Sequence, residues 1–384
     1  MKKTCATVLA ALLALIPSMA QGLKDAVKDD FLMGVALNTH QTGAVRDSAV
    51  TRIIETHFNS IVAENCMKPE AVQPVEGRFK WKQADRFVEF GTSRGMAVIG
   101  HVLVWHSQTP GWFFTDASGA PASREILIQR MRTHIMTVVG RYRGRIKGWD
   151  VVNEAIEDDG SFRDSPWYRI IGPEYIELAF RFAHEADPDA ELYYNDFSMT
   201  KSAKRDAVCA LVGELKEKGV RIDAIGMQSH NGLTWPLEDE YEAAIDAYAS
   251  LGVKVMITEL DMNVLPNPDS FSGAEVSQNF SYSEKMDPYR DGLPQEVSDR
   301  IDARWVEFFR IYKKHAEQIS RVCVWGLGDA QSWMNDWPIE GRTAYPLLFD
   351  RQYSPKPAVQ QIIDLYTCST SSPASPSTAC QPSI

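Results

Sequence analysis

Eight short apolar runs, many of them rich in β-branched residues, recur along the 384-residue chain at positions 31–38, 59–64, 97–105, 146–154, 191–195, 224–230, 253–259 and 322–327. Between them lie segments with helical patterning, for example over 82–94, 124–141, 173–185, 201–218, 237–251, 296–318 and 358–366. Eight strand candidates separated by helices predict an α/β fold, a single (β/α)8 TIM barrel. Helix punctuation agrees: Pro173 opens one predicted helix, and Gly219 and Gly252 close two others. Barrels of ~250 residues or more with insertions commonly form one domain, so the chain length needs no second core.

Such a barrel keeps its chemistry at the C-terminal mouth of the strands. The predicted strand ends are unusually polar here. Asn38 and His40 follow the first run, Glu64, Asn65 and Lys68 the second, and His101, Trp105, His106 and Gln108 the third. Later ends add Asn153 with Glu154, Asn195 with Asp196, Gln228 with His230, Glu259 with Asp261, and Trp325 with Trp333. A packed strand end tolerates one polar group, whereas several at nearly every end imply a wet, hydrogen-bonding cleft. Glu154 and Glu259 each close an apolar run, and two acids delivered to one mouth suggest general acid/base work.

Glycoside hydrolysis suits this composition. Sugar hydroxyls take Asn, Gln, His and Lys partners, flat sugar faces take indole platforms, and the anomeric centre needs one protonated and one ionised carboxyl group. Trp105, Trp325 and Trp333 are the candidate platforms. A tryptophan alone belongs to a core, but three beside polar strand ends shift the balance to ligand stacking. Metal catalysis is disfavoured. His101 and His106 lie five apart, on opposite faces of an extended strand, and no His-x-His or Cys-x-x-Cys chelate occurs. No metal and no cofactor is expected.

Residues 1–20 have a basic start at Lys2 and Lys3, an apolar stretch and the small-residue exit Ser18-Met19-Ala20, the pattern of a cleaved signal peptide. The expected destination is therefore secreted or periplasmic. The net charge of −11 becomes −13 without Lys2 and Lys3, and no basic stripe argues for a nucleic-acid partner. No second apolar stretch of about 18 residues predicts a membrane span. The expected partition is 1–20 leader, 21–366 catalytic barrel with a long Pro-containing loop at 265–295, and 367–384 a disordered tail rich in Ser, Thr and Pro. That loop leaves the C-terminal end of a strand and so belongs to the barrel mouth. Cys66, Cys209 and Cys323 read as buried small hydrophobes, while Cys368 and Cys380 can pair with each other in the tail.

Six ordered motifs carry a family resemblance: Glu64-Asn65-Cys66-Met67-Lys68, His101-Val102-Leu103-Val104-Trp105-His106-Ser107-Gln108, Trp149-Asp150-Val151-Val152-Asn153-Glu154, Gln228-Ser229-His230, Ile257-Thr258-Glu259-Leu260-Asp261 and Val324-Trp325-Gly326. Together they resemble family 10 glycoside hydrolases, the endo-β-1,4-xylanases, over roughly residues 31–366. The resemblance implies a retaining enzyme acting on xylan and xylooligosaccharides, with Glu154 as acid/base and Glu259 as nucleophile, ~5 to 5.5 Å apart. It implies that His230, oriented by Asp261, holds Glu259 ionised, and that the charge on Glu259 favours the protonated form of Glu154. Asn153 would bond the sugar 2-hydroxyl. Glu64, Asn65, Lys68, Gln108 and Trp325 would surround the distal glycone sugar, and His101, Trp105, Gln228, His230 and Trp333 the sugar undergoing cleavage. Two positions depart from the pattern: Cys66 stands where many relatives carry another residue, and Phe197 replaces a common tyrosine near the aglycone side. The competing expectations are a β-1,4-glucanase or mixed-specificity glycanase of the same family and, more remotely, a non-catalytic carbohydrate-binding barrel. A monomer is expected.

Overall fold

The computed structural model describes residues 21–269, 271 and 278–367. The leader expected at 1–20, the tail beyond Thr367 and its Cys368–Cys380 pairing lie outside the described residues. Nine parallel strands are present among them: β1 (Leu32–Leu37), β2 (Ser60–Ala63), β3 (Ala97–Val104), β4 (Gly148–Asn153), β5 (Glu191–Asp196), β6 (Ala224–Met227), β7 (His230–Gly232), β8 (Lys254–Asn263) and β9 (Ile319–Val324). The hydrogen-bonded order runs β6-β5-β4-β3-β2-β1-β9-β8, and β6 pairs β8 to close eight strands into a barrel. The ninth, β7, continues beyond β6 against the far end of β8, with His230 opposite Asp261.

One long helix follows each barrel strand: α2 (Ser48–His57), α4 (Lys82–Thr92), α5 (Arg124–Arg141), α7 (Glu174–Ala186), α8 (Ser202–Glu217), α9 (Glu238–Ala249), α10 (Gln295–Lys314) and α11 (Pro357–Thr367). A short helix α1 (Leu23–Ala26) precedes β1, and short helices α3 (Pro69–Val72) and α6 (Pro166–Ile171) lie in the connections after β2 and β4. The run at 224–230 is two strands rather than one, because Ser229 adopts φ +62° and breaks the ladder between Met227 and His230. The run at 253–259 extends to Asn263, and the last strand begins at Ile319 rather than at 322.

Helix α2 has no counterpart among the helical segments read from the sequence. Val50, Thr51, Ile53 and Ile54 give it a β-branched character, yet Val50 and Ile54 fall four apart on one face and are both buried. Asp47 accepts a bond from Ala49 N at 2.7 Å and caps its start. Inside the barrel, Ala36, Val62, Ile99, Tyr193, Ala224, Met256 and Cys323 form a packed plug beneath Trp325. Glycine permits two close approaches in this wall: a Cβ on Gly100 would stand 2.1 Å from the Trp149 ring, and one on Gly148 2.2 Å from the Tyr193 hydroxyl.

Candidate active site

Two local irregularities aim the acids. Glu154 follows the last residue of β4 and adopts φ +57°, with its N–H bonded to Asn195 O at 2.9 Å. A left-handed glutamate is uncommon and persists only where the surroundings over-determine it. On β8 the pairing register to β9 shifts between Ile257 and Leu260. Neighbours on a regular strand face opposite sides, but this irregularity lets both Thr258 and Glu259 face the barrel interior.

An amide chain links the two carboxylates. Gln228 Nε2 donates to Glu154 Oε1 at 2.9 Å and to Asn153 Oδ1 at 3.2 Å. Asn195 Nδ2 donates to the same Asn153 Oδ1 at 2.9 Å and to Glu259 Oε1 at 2.8 Å. Thr258 Oγ1 donates to Asn195 Oδ1 at 2.6 Å and fixes which way that amide points. Glu154 accepts further bonds from Asn153 Nδ2 at 3.1 Å and from Trp105 Nε1 at 2.8 Å. Both acids are buried, at 4% and 5% exposure, so these bonds replace water almost entirely.

The electrostatic surroundings of the two acids differ. His230 Nε2 lies 3.3 Å from Glu259 Oε2, and its Nδ1 lies 3.0 Å from Asp261 Oδ1. Burial disfavours the charged imidazole, but Asp261 and then Glu259 overcome it and raise the His230 pKa to about 10. The ring is therefore an imidazolium at neutral pH. Burial pushes the Glu259 carboxyl up, yet the His230 bond, His101 and Asn195 outweigh it and hold the group below the usual glutamate range. Trp333 Nε1 donates to Asp261 Oδ2 at 2.8 Å and locks the outer member of this series. Glu154, by contrast, takes its close bonds from the neutral donors Trp105, Asn153 and Gln228, and its nearest imidazole nitrogen, His106 Nδ1, stands off at 3.9 Å from Oε2.

Glu64, Asn65, Lys68, His101, Trp105, Gln108, Asn153, Gln228, His230, Trp325 and Trp333 line one cleft of about 410 Å³ together with both glutamates. Lys68 Nζ bonds Asn65 Oδ1 at 2.9 Å and Gln108 Oε1 at 2.6 Å, and sits 5.0 Å from the Trp105 ring. Burial lowers the Lys68 pKa against the pull of Glu259, Glu64, Glu154 and Glu70, and burial raises that of Glu64. His101 Nδ1 is fixed by Asp150 Oδ2 at 2.9 Å. The cleft meets a second cavity of about 490 Å³ at His230, Trp333 and Trp337, walled by Phe197, Met199, Trp235, Phe271 and Asn267 among others.

Several residues at or beside the predicted strand ends do not line the cleft, His106 and Asp261 among them. Asn38 folds back onto its own loop, accepting from His40 N at 3.0 Å and Gln41 N at 3.2 Å, and His40 is exposed. Asp196 is fully buried on the opposite face of β5 from Asn195, paired with Lys204 at 2.7 Å. Phe197 is 6% exposed, its ring 3.7 Å from Lys204 Nζ. Sequence reasoning missed Trp337, which stacks on Trp333 with centroids 4.9 Å apart, and the orienting residues Thr258 and Asp150. Strand parity alone signals Asp196: two adjacent residues cannot both face the mouth of a regular strand. Cys66 and Cys323 are buried free thiols whose pKa burial pushes up to about 12, and Cys209 is half-buried. Among the described residues no group of three or more His, Cys, Asp or Glu side chains can hold a metal ion, and no helix is long and apolar enough to cross a membrane.

A family model described as glycosyl hydrolase family 10 matches residues 22–365. The chain is 52% identical to endo-1,4-beta-xylanase A of Xylanibacter ruminicola over 95% of its length and 100% of that protein's. It is 40% identical to an endo-1,4-beta-xylanase of Geobacillus stearothermophilus, over 91% of this chain and 99% of that one. Among solved structures, a GH10 endoxylanase retrieved from a sugarcane soil metagenome superposes with a TM-score of 0.87 at 46% identity, covering 90% of this chain and 100% of that one.

Proposed function

The chain belongs to glycosyl hydrolase family 10, and on that premise we propose that it is a retaining endo-1,4-β-xylanase whose acid/base is Glu154 and whose nucleophile is Glu259. It cleaves internal β-1,4 linkages of xylan by double displacement. The observation that carries the assignment of roles is the asymmetry of the two carboxylates: Glu259 faces the His230 imidazolium at 3.3 Å, while Glu154 is held by neutral donors.

Glu154 protonates the leaving oxygen as Glu259 attacks the anomeric carbon and forms a glycosyl-enzyme. Esterification removes the charge on Glu259, so Glu154 can stay ionised and take the proton of the incoming water. The amide of Asn153, fixed by Asn195 and Gln228, is offered to the sugar 2-hydroxyl, and this contact strengthens as positive charge develops at the anomeric centre. His101, Trp105, Gln228, His230 and Trp333 surround the sugar undergoing cleavage. Glu64, Asn65, Lys68, Gln108 and Trp325 hold the distal glycone sugar. The cavity beyond Trp333 receives the leaving side of the chain, with the edge of Phe197 in its wall and Asp261 supporting His230 from behind. The enzyme acts as a secreted or periplasmic monomer on xylan and xylooligosaccharides.

Role-swapping variants test this reading. Glu154→Ala should abolish xylan cleavage while sparing the first step on aryl xylobiosides with good leaving groups, and Glu259→Ala should be inactive on both. Normal turnover of an activated aryl glycoside by Glu259→Ala would refute the roles. Xylan and carboxymethylcellulose assayed side by side should give a large preference for xylan; comparable rates would mark a mixed-specificity glycanase.

A further inference from the structure

The left-handed turn at Glu154 is held from behind by groups that never reach the cleft. Asp196 and Lys204, on β5 and α8, are both fully buried, and Lys204 Nζ lies 2.7 Å from Asp196 Oδ1. The other oxygen, Asp196 Oδ2, accepts from Tyr194 Oη at 2.6 Å and from Ile156 N at 3.4 Å. Tyr194 Oη in turn accepts from Ala155 N at 3.2 Å. The two peptide N–H groups that follow Glu154 therefore both end on the Asp196–Tyr194 pair. On the other side, Arg163 Nε donates to Glu154 O at 2.8 Å. Lys204 also lies 3.8 Å from Asp158 Oδ1, farther along the same loop.

We propose that the buried Lys204–Asp196 ion pair is a positioning device for the acid/base: it anchors the turn after β4 in the left-handed conformation that aims Glu154 at the leaving oxygen. This rests on the acid/base reading of Glu154 and deepens it. A glutamate at φ +57° relaxes unless its neighbours over-determine it, and a short charged acceptor fixed inside the barrel wall supplies that constraint. Lys204 is needed because burial pushes the Asp196 carboxyl up, toward the neutral form, and the ammonium opposes this. Without the cation Asp196 takes up a proton, its bonds to Tyr194 and Ile156 weaken, and the carboxyl of Glu154 loses its aim.

The test separates aim from mere stability by leaving group. A 2,4-dinitrophenyl xylobioside needs no proton donor in its first step, whereas xylan does. In Lys204→Met, kcat/KM on xylan should fall about tenfold or more, while kcat/KM on the dinitrophenyl substrate stays within about threefold of the parent. An equal fall on both substrates, or no change on either, overturns the proposal, since a structural pair would act only through the folded fraction. If Lys204→Met does not fold, the double variant Lys204→Met/Asp196→Asn removes the unpaired buried charge and should show the same split. Glu154→Ala is measured alongside. A split in Glu154→Ala with none in the Lys204 variants overturns the positioning role alone, and no split in Glu154→Ala overturns the acid/base reading itself.

Discussion

The imidazole of His230 stands between Glu259 and Asp261, and replacing it with asparagine removes a cation while keeping a hydrogen-bond donor. As the proposed nucleophile Glu259 must be ionised to attack, and its folded pKa lies below the ordinary glutamate value because His230 favours the carboxylate. Activity that depends on Glu259 is thus present above that lowered pKa and is lost as pH falls through it. In His230→Asn the carboxylate loses its cation, its pKa rises, and the acid limb of kcat/KM on xylotetraose should move upward by about one pH unit. An unmoved limb would mean that the charge on Glu259 is set elsewhere. At this scale much of the candidate site was legible: twelve residues of the motifs, together with Trp333, line one cleft. Thr258 was not legible, because a threonine in Ile257-Thr258-Glu259 looks like any β-branched strand residue until the register shift turns it inward.

Strand β4 and its neighbours show how an element positions a candidate site through close packing as well as through polar contacts. Gly100 on β3 lets the Trp149 indole lie against the sheet, and Asp150, one residue further along β4, holds His101 from the barrel interior. Gly100→Ala would drive a methyl group into that ring, so the unfolding free energy should drop by about 1 to 3 kcal/mol in urea titrations. A drop below a few tenths would mean the indole can move aside. Helix α2 marks the limit of local reading: its β-branched residues favour a strand by composition, and only burial of Val50 and Ile54 against the barrel with the Asp47 cap selects a helix. The break between β6 and β7 is similar. Nothing in Gln228-Ser229-His230 announces that Ser229 takes a positive φ, and with that turn in place both Gln228 and His230 reach the cleft.

Much of the packed core lies apart from the candidate site in the whole molecule. Helix α1 packs against α11, α2 and β1, away from the acids, and Leu23 is fully buried there in the main core. Leu23→Ala should cost about 2 to 5 kcal/mol of stability while leaving kcat on xylan unchanged at temperatures where the variant is folded. A fall in kcat without a fall in stability would show that this region reaches the cleft. By itself the sequence determined the eight recurring strand runs, the helices between them apart from α2, and the order of the polar strand ends, because periodicity and composition are local properties of the chain. Only the tertiary structure decided that Asn195 faces the cleft while Asp196 turns to Lys204, and that residues 154 and 259 share one amide chain. Those outcomes depend on barrel closure, register shifts and left-handed turns, which set direction through contacts between strands far apart in sequence.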